Sequence, residues 1–147
     1  NGWQNIYRIL TDKTRNYESY EKLMMTSAFA GMAISHTGTC LPHGMSYGIT
    51  YEHNIPHGKA VGTFLGAFVD NADSDMRDTV FSLCGFKDGH SIHKAITEFC
   101  GTVTLTSKEV NTAVSGMLSN TKKLKSCPYS VDEKVLREMY QRSVIIQ

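Results

Sequence analysis

Apolar side chains recur every three or four positions along nearly the whole chain, which is the period of a helix that buries one face. The only strand-like run, residues 102–105, is too short to build a sheet. No repeat, low-complexity tract or linker interrupts the pattern. We therefore predict one all-α domain over residues 1–147, a multi-helix bundle of about seven or eight helices.

The longest predicted helix covers residues 18–35, and its apolar stripe is built mainly from small side chains. Small residues let a neighbouring helix approach closely, so we expect this helix to be central. The stripe comprises Leu23, Ser27, Ala30, Gly31 and Ile34. An earlier apolar stripe, formed by Trp3, Ile6, Tyr7 and Leu10, begins almost at the first residue. We therefore expect a chain that starts partway into a domain.

Capping residues and glycines mark the ends of the later helices. Asp73 or Ser74 is expected to begin one helix and Gly85 to end it, and Gly101 is expected to end the next. Two capping boxes, Thr106 with Glu109 and Ser130 with Glu133, are expected to begin the last two helices. The side chains expected to face inward are Met76, Val80, Leu83, Cys84, Ile92, Ile96, Phe99, Val110, Ala113, Val114, Met117, Leu118, Val131, Val135, Leu136, Met139 and Tyr140.

Charge and composition exclude some functions. With 15 basic and 14 acidic residues, the chain has no electrostatic case for binding nucleic acid or an anionic membrane. The short basic cluster Lys122, Lys123 and Lys125 is interpreted as a solvated helix end. Residues 23–51 carry no Asp, Glu, Lys or Arg, but their continuous helical part is too short to span a bilayer.

The four cysteines form no Cys-x-x-Cys pair, which favours reduced thiols in a cytoplasmic protein. No basic region followed by an apolar one opens the chain, so no signal peptide is predicted.

Two Pro-His-Gly triplets stand out in residues 38–68, one at His43 and one at His57. Proline is well tolerated in the first turn of a helix, so each histidine is expected near the start of a helical element. Two such elements can direct both imidazoles into one cleft as part of a metal site. The glycine after each histidine leaves space for another group to approach. The alternative is a pair of capping or core histidines with satisfied hydrogen bonds.

These residues also carry a family resemblance. The stretch GTCLPHGMSYGITYEHNIPHGKAVG is similar to the signature of the iron-containing (group III, metal-dependent) alcohol dehydrogenases, which are related to glycerol dehydrogenase and dehydroquinate synthase. The segments MMTSAFAGMAISHTG and KKLKSCPYSVDEKVLREMYQRSV resemble the same family's preceding helix and closing segment. The resemblance implies a dehydroquinate synthase-like C-terminal helical domain, with the N-terminal nucleotide-binding domain absent from this chain.

The resemblance also implies the chemistry. Family members hold Fe²⁺, or Zn²⁺ in some branches, through an aspartate and up to three histidines, two of which match His43 and His57. The other ligands would precede Asn1. An alcohol or aldehyde substrate is implied, with NAD or NADP bound mainly by the missing domain. Apolar surface left without that domain favours self-association, so a homo-oligomer is expected.

Tyr47 stands four residues after His43, where many family members carry a further histidine that is linked to proton relay or cofactor contact. Tyrosine can still donate a hydrogen bond, so Tyr47 is the candidate catalytic residue. The alternative is a ring packed against the helix predicted over residues 18–35. His53 is a substitute relay or a loop histidine, and Glu52 orients a ligand histidine or is simply solvated.

The remaining candidates have structural alternatives. His90 and His93 could chelate a metal or lie on the surface, and His36 is expected to cap a helix end. A stripe that could line a substrate cleft or pack in the core comprises Phe64, Leu65 and Phe68. For the whole chain, the alternatives are a glycerol-dehydrogenase-like zinc enzyme, a family member that has lost its metal, and a non-catalytic helical interaction domain.

Overall fold

The computed structural model describes residues 2–12 and 16–147. Over these residues the chain forms ten helical segments and one short parallel ladder, which confirms the all-α prediction. The helices are α1 Gly2–Thr11, α2 Tyr17–Thr37, α3 Leu41–Glu52, α4 His57–Thr63, α5 Leu65–Asp70, α6 Ser74–Cys84, α7 Gly89–Cys100, α8 Ser107–Leu118, α9 Thr121–Lys125 and α10 Glu133–Ser143.

Two features raise the number of helices above the expected seven or eight. The helix predicted from His57 onward is broken at Phe64, whose backbone N–H donates to the Val61 carbonyl in a tighter turn, so that α4 and α5 are separate. The short α9 is the second addition. It begins after an N-cap, Asn120, whose side chain accepts from the Lys123 N–H.

The strand-like run does pair, but only over two residues. β1, Thr104–Leu105, lies parallel to β2, Ile145–Ile146. The Gln147 N–H donates to the Leu105 carbonyl at 3.0 Å, and the Ser107 N–H donates to the Gln147 carbonyl at 3.0 Å. The ladder therefore fastens the C-terminal end of the chain to the start of α8.

The larger core lies where α3, α4, α5, α8 and α10 meet. Its buried side chains are Leu41, Met45, Ile49, Ala60, Phe64, Ala67, Val103, Leu105, Val110, Val114, Met117, Leu136, Met139 and Tyr140. The Tyr140 hydroxyl donates to the Met45 carbonyl at 3.2 Å, which satisfies a phenol buried among apolar groups. Burial raises the pKa of Tyr140, so this hydroxyl keeps the proton that makes the bond.

A second core joins α1, α6 and α7 to α5. Its buried members are Val69, Cys84, Phe86, Ile92, Ala95 and Ile96, with Trp3, Tyr7 and Leu10 of α1 packed against them. Phe68 contacts both cores and so connects them. The backbones of α5 and α7 approach closely, since a Cβ on Gly66 would lie 2.2 Å from the Gly89 carbonyl oxygen.

The expectation that the long helix is central is wrong for the described part of the chain. In α2 only Thr26 is buried, and its hydroxyl accepts from the Asn5 amide of α1 at 3.2 Å. Met24 and Phe29 are 73% and 61% exposed. The small residues permit close approach, but among the described elements only α1 packs extensively against this helix.

Several later expectations also need correction. Three side chains expected to face inward, Met76, Leu83 and Phe99, are 39%, 55% and 48% exposed. The last helix is capped by Asp132, whose side chain accepts from the Val135 N–H at 2.8 Å, so the capping box proposed from Ser130 is wrong. The other caps and stops are confirmed: Asp73, Gly85, Gly101 and the box of Thr106 with Glu109.

No helix among the described residues combines the length and apolar character needed to cross a membrane.

Leu136 and Leu83 provide a matched test of this packing. Leu136 is fully buried in the larger core, whereas Leu83 is 55% exposed on α6. We predict that Leu136→Ala lowers the free energy of unfolding by about 2–5 kcal/mol because it leaves a cavity. Leu83→Ala should cost about 0.5 kcal/mol or less. Urea unfolding followed by circular dichroism measures both, and equal losses would contradict the assigned core.

Candidate metal centre

The direction in which α3 presents its side chains follows from its buried edge. Leu41, Met45 and Ile49 are spaced by four residues and are 0%, 2% and 3% exposed. Each helical residue turns the chain by about 100°, so positions two residues away point to the opposite side. His43 is one of these positions, in the first turn of the helix and directly after Pro42.

The second histidine is positioned by a turn. Asn54 has a positive φ of 51°, the only non-glycine residue of the described chain to do so, and asparagine tolerates that conformation. Pro56 follows as the N-cap of α4, so His57 becomes the first residue of that helix. The prediction that both histidines lie near helix starts is therefore confirmed.

The structure brings the two rings together. His43 Nδ1 and His57 Nε2 are 3.1 Å apart. The ring centroids are separated by 5.1 Å and the planes are inclined by 53°. His57 is exposed and His43 is half-buried, so the pair lies at the surface of the described structure.

Two further side chains of α3 contact His57. The Thr50 hydroxyl lies 3.3 Å from His57 Nδ1, whereas His43 approaches the other ring nitrogen. The Tyr47 ring stacks on the His57 ring with centroids 5.8 Å apart and planes inclined by 12°. Tyr47 is 47% exposed, so part of its side chain is accessible beside the two histidines.

Lys123 also belongs to this region, although the sequence suggested only a solvated helix end. Its ammonium donates to the Thr39 carbonyl at 2.9 Å and to the Thr39 hydroxyl, and it lies 5.7 Å from the centroid of the Tyr47 ring. Partial burial, then His57, then Lys123 lower the pKa of His43. A lowered pKa favours the neutral imidazole, which is the form that binds metals.

Lys122 and Lys125 are exposed as expected. No local sequence pattern distinguishes Lys123 from these two lysines. The contact with Thr39 joins residues 84 positions apart, so only the folded chain reveals it.

The two glycines after the histidines differ. A Cβ on Gly44 would lie 2.8 Å from Met117 Cε and 3.3 Å from Lys123 Cγ, so other groups do approach there as predicted. A Cβ on Gly58 would meet no described neighbour within 4 Å. The space beside Gly58 is therefore open in the described structure, and the approach of another group there stays a prediction.

His53 and Glu52 form a separate cluster with Glu109. His53 Nε2 lies 2.8 Å from a Glu109 carboxylate oxygen, and the potential ligand atoms of all three residues lie within 4.8 Å of one another. The three residues line a groove of about 570 Å³ between α3 and α8. The structure thus gives His53 a carboxylate partner on α8 and places Glu52 beside that pair.

The histidines of α7 differ in their surroundings. His90 is exposed, while His93 is half-buried with Nε2 3.4 Å from the Thr97 hydroxyl. The interpretation of the pair as surface residues therefore agrees with the position of His90, whereas His93 is only partly exposed.

His36 is exposed, and the end of α2 is capped by other groups instead of the expected His36. The Thr37 hydroxyl donates to the Ala33 carbonyl at 3.0 Å, and the Gly38 N–H donates to the Ile34 carbonyl at 2.8 Å. These two contacts satisfy carbonyls of the last turn.

The Phe64 stripe belongs to the core. Phe64 is fully buried, and its ring meets Tyr140 edge-on at 5.1 Å between centroids. Phe68 packs against both cores, and its ring lies 5.5 Å from the Tyr129 ring. Core packing therefore accounts for these aromatic side chains.

The fold and the site together define an all-helical domain that presents two imidazoles from the starts of successive helices. The family model for the C-terminal region of the Fe-containing alcohol dehydrogenase family matches residues 4–127. The chain therefore belongs to that family.

Solved structures are similar to this chain over almost its full length. An iron-containing alcohol dehydrogenase from Thermotoga maritima matches with a TM-score of 0.81 and 29% identity over 97% of this chain. Another structure, described as an iron containing alcohol dehydrogenase, gives the same values. This chain spans 40% of the length of each of those proteins. A comparison with curated proteins found no match.

The Glu109 carboxylate gives a pH-dependent prediction. The hydroxyl of Thr106, then its backbone N–H, then His53, lower the pKa of Glu109 below its ordinary value of 4.5. A carboxylate with a depressed folded-state pKa stabilises the fold above the unfolded value, and this contribution is lost as the pH falls through the folded value. The stability advantage over Glu109→Gln should therefore shrink as the pH falls below about 5.

Urea unfolding of both proteins between about pH 3 and pH 7 measures this difference. Glu138→Gln on α10, where the carboxylate lies 3.9 Å from Lys134, is the control. A Glu109→Gln difference that does not change with pH would refute the interpretation.

Proposed function

We propose that this chain is the metal- and substrate-binding domain of a metal-dependent alcohol dehydrogenase. The enzyme oxidises an alcohol, or reduces an aldehyde or ketone, with NAD or NADP held mainly by a nucleotide-binding domain outside this chain. The observation that carries the proposal is the convergence of His43 and His57, residues 14 positions apart, on one point at the surface. Family membership suggests the reaction class. A cytoplasmic location is part of the same proposal.

The donor set fits a divalent metal ion. With metal–nitrogen distances of about 2.0–2.1 Å, neighbouring ligand nitrogens lie roughly 2.9 Å apart at a right angle and roughly 3.4 Å apart in a tetrahedron. The separation of 3.1 Å between His43 Nδ1 and His57 Nε2 falls within this range. Both Fe²⁺ and Zn²⁺ accept neutral imidazole ligands.

When bound, such a metal supplies Lewis acidity at the substrate oxygen. His43 and His57 are the residues of this chain that would hold it. The lowered pKa of His43 reduces the competition between a proton and a metal for that imidazole. Two imidazoles are part of a shell, and an aspartate and a further histidine from outside this chain are expected to complete it.

Tyr47 is the residue we assign to proton transfer. Its ring lies against His57 and is partly exposed, so its phenol can donate a hydrogen bond to a substrate oxygen beside the two histidines. Lys123, held by Thr39, adds a positive charge near the same ring, which favours negative charge developing on the substrate oxygen.

The exposed side chains of α2 support a larger assembly. Tyr20, Met24, Phe29 and Met32 are between 58% and 73% exposed on this one helix, and apolar surface of this extent marks an interaction site. We propose that the nucleotide-binding domain covers α2, and that the complete protein is a homo-oligomer.

The same exposed helix favours one alternative, a helical interaction domain without catalysis, in which the two imidazoles would serve no metal. A zinc enzyme resembling glycerol dehydrogenase is the alternative within the family. Metal analysis of the complete gene product separates that enzyme from an iron enzyme.

Replacing the two histidines tests the proposal. We predict that His43→Ala and His57→Ala each abolish stoichiometric metal binding and reduce turnover of the complete gene product by more than about 100-fold, because each removes a ligand. His90→Ala, at an exposed position on α7, is the control and should retain both. Elemental analysis and alcohol-dependent formation of NADH or NADPH are the measurements. Unchanged metal content and turnover in both variants would refute the proposal.

Tyr47→Phe removes only the phenol hydroxyl and keeps the stacked ring. We predict a fall in kcat of about 100-fold or more with metal content unchanged, which is the range expected for loss of a proton-transfer group. Tyr51→Phe is the control, because Tyr51 is 91% exposed one turn further along α3. Wild-type kcat in Tyr47→Phe would exclude the hydroxyl from the reaction.

A further inference from the structure

We infer that Thr50 is a positioning residue for His57: its hydroxyl accepts the Nδ1 proton of His57 and so leaves Nε2 free for a metal. The inference rests on the proposed metal site and deepens it. The observation behind it is the contact of 3.3 Å between Thr50 Oγ1 and His57 Nδ1.

Each nitrogen of the His57 ring has its own neighbour. His43 Nδ1 lies 3.1 Å from His57 Nε2, and the Thr50 hydroxyl lies 3.3 Å from Nδ1. A neutral imidazole carries one N–H, so one nitrogen donates while the other offers a lone pair. Which nitrogen binds a metal is set by the hydrogen bond that the other one makes.

Only one proton arrangement of His57 suits a metal that is shared with His43. Both nitrogens that face each other must then offer lone pairs, so the proton of His57 has to sit on Nδ1. At that position Thr50 Oγ1 is the acceptor within reach. Without the hydroxyl, the N–H would lose this partner whenever the metal was bound, and the metal-bound state would be destabilised.

Tyr47 restricts the same ring in a different way. Its stacked ring limits the tilt of the His57 plane, with an interplanar angle of 12°. Stacking does not distinguish one ring nitrogen from the other, because it acts on the face of the ring. The hydrogen bond from the edge does distinguish them. Tyr47 therefore restricts the tilt of the His57 ring, whereas Thr50 determines which of its nitrogens carries the proton.

The location of Thr50 makes the hydroxyl effective. It lies on α3 seven residues after His43, two helical turns along the same side, and seven residues before His57. Its side chain is half-buried, and a β-branched residue in a helix has few rotamers. The oxygen is thus held by the same helix that holds His43.

Thr50→Val tests this role, because valine keeps the shape and removes the hydroxyl, while Thr50→Ser keeps a hydroxyl. With Zn²⁺ as the probe and the complete gene product as the protein, we expect Thr50→Val to weaken Zn²⁺ binding by roughly 10–100-fold, the usual effect of losing an outer-shell partner. Thr50→Ser should stay within roughly 3-fold of wild type. Thr79→Val, on exposed α6 where the hydroxyl donates to the Asp75 carbonyl, is the matched control.

A second readout does not depend on metal affinity. Nitrogen-15 spectra of the histidine rings report which nitrogen of His57 carries the proton, and we expect the Nδ1–H signal to shift or broaden in Thr50→Val alone. Wild-type Zn²⁺ affinity and an unchanged His57 signal in Thr50→Val would overturn the inference. The proposed function would still stand if His57→Ala abolished binding, and it would fall separately if His57→Ala bound Zn²⁺ normally.

Discussion

The burial of one edge of α3 is the constraint on which the rest of the site depends. Leu41, Met45 and Ile49 are almost completely buried in the larger core, and the Met45 carbonyl also accepts the Tyr140 hydroxyl from α10. A helix fixed on that side has no freedom to rotate, so His43 is directed outward. Hydrophobic packing thus determines the side of α3 on which His43 lies.

The first residues of α4 complete this arrangement. The turn through Asn54 and Pro56 returns the chain so that His57 reaches His43, and the break at Phe64 separates α4 from α5. Partial burial, then the neighbouring His57 and Lys123, lower the pKa of His43 and so favour its neutral form. The fold therefore brings the two imidazoles together, and the surroundings of His43 favour its neutral form.

Sequence patterns predicted features that depend on neighbouring residues and missed those that depend on distant ones. The capping box of Thr106 with Glu109 and the Pro-His pairs are local, and both appear where expected. At the start of α10, Asp132 is the cap, two residues along from the predicted one. The position of Lys123 beside Tyr47 depends on its contact with Thr39, 84 residues away. The apolar stripe of α2 predicted a central helix, yet only Thr26 of that helix is buried in the described structure. Periodicity indicates that a helix has a buried face, but it does not identify the partner that buries it.

The central claim is that one ion is held by both imidazoles. Anomalous X-ray scattering from crystals of the metal-loaded complete gene product, recorded at the absorption edge of the metal, tests it most directly. The account predicts one strong peak about 2.0–2.1 Å from a nitrogen of His43 and from a nitrogen of His57. A metal bound to only one of these rings, or located only beside Glu52, His53 and Glu109, would contradict it.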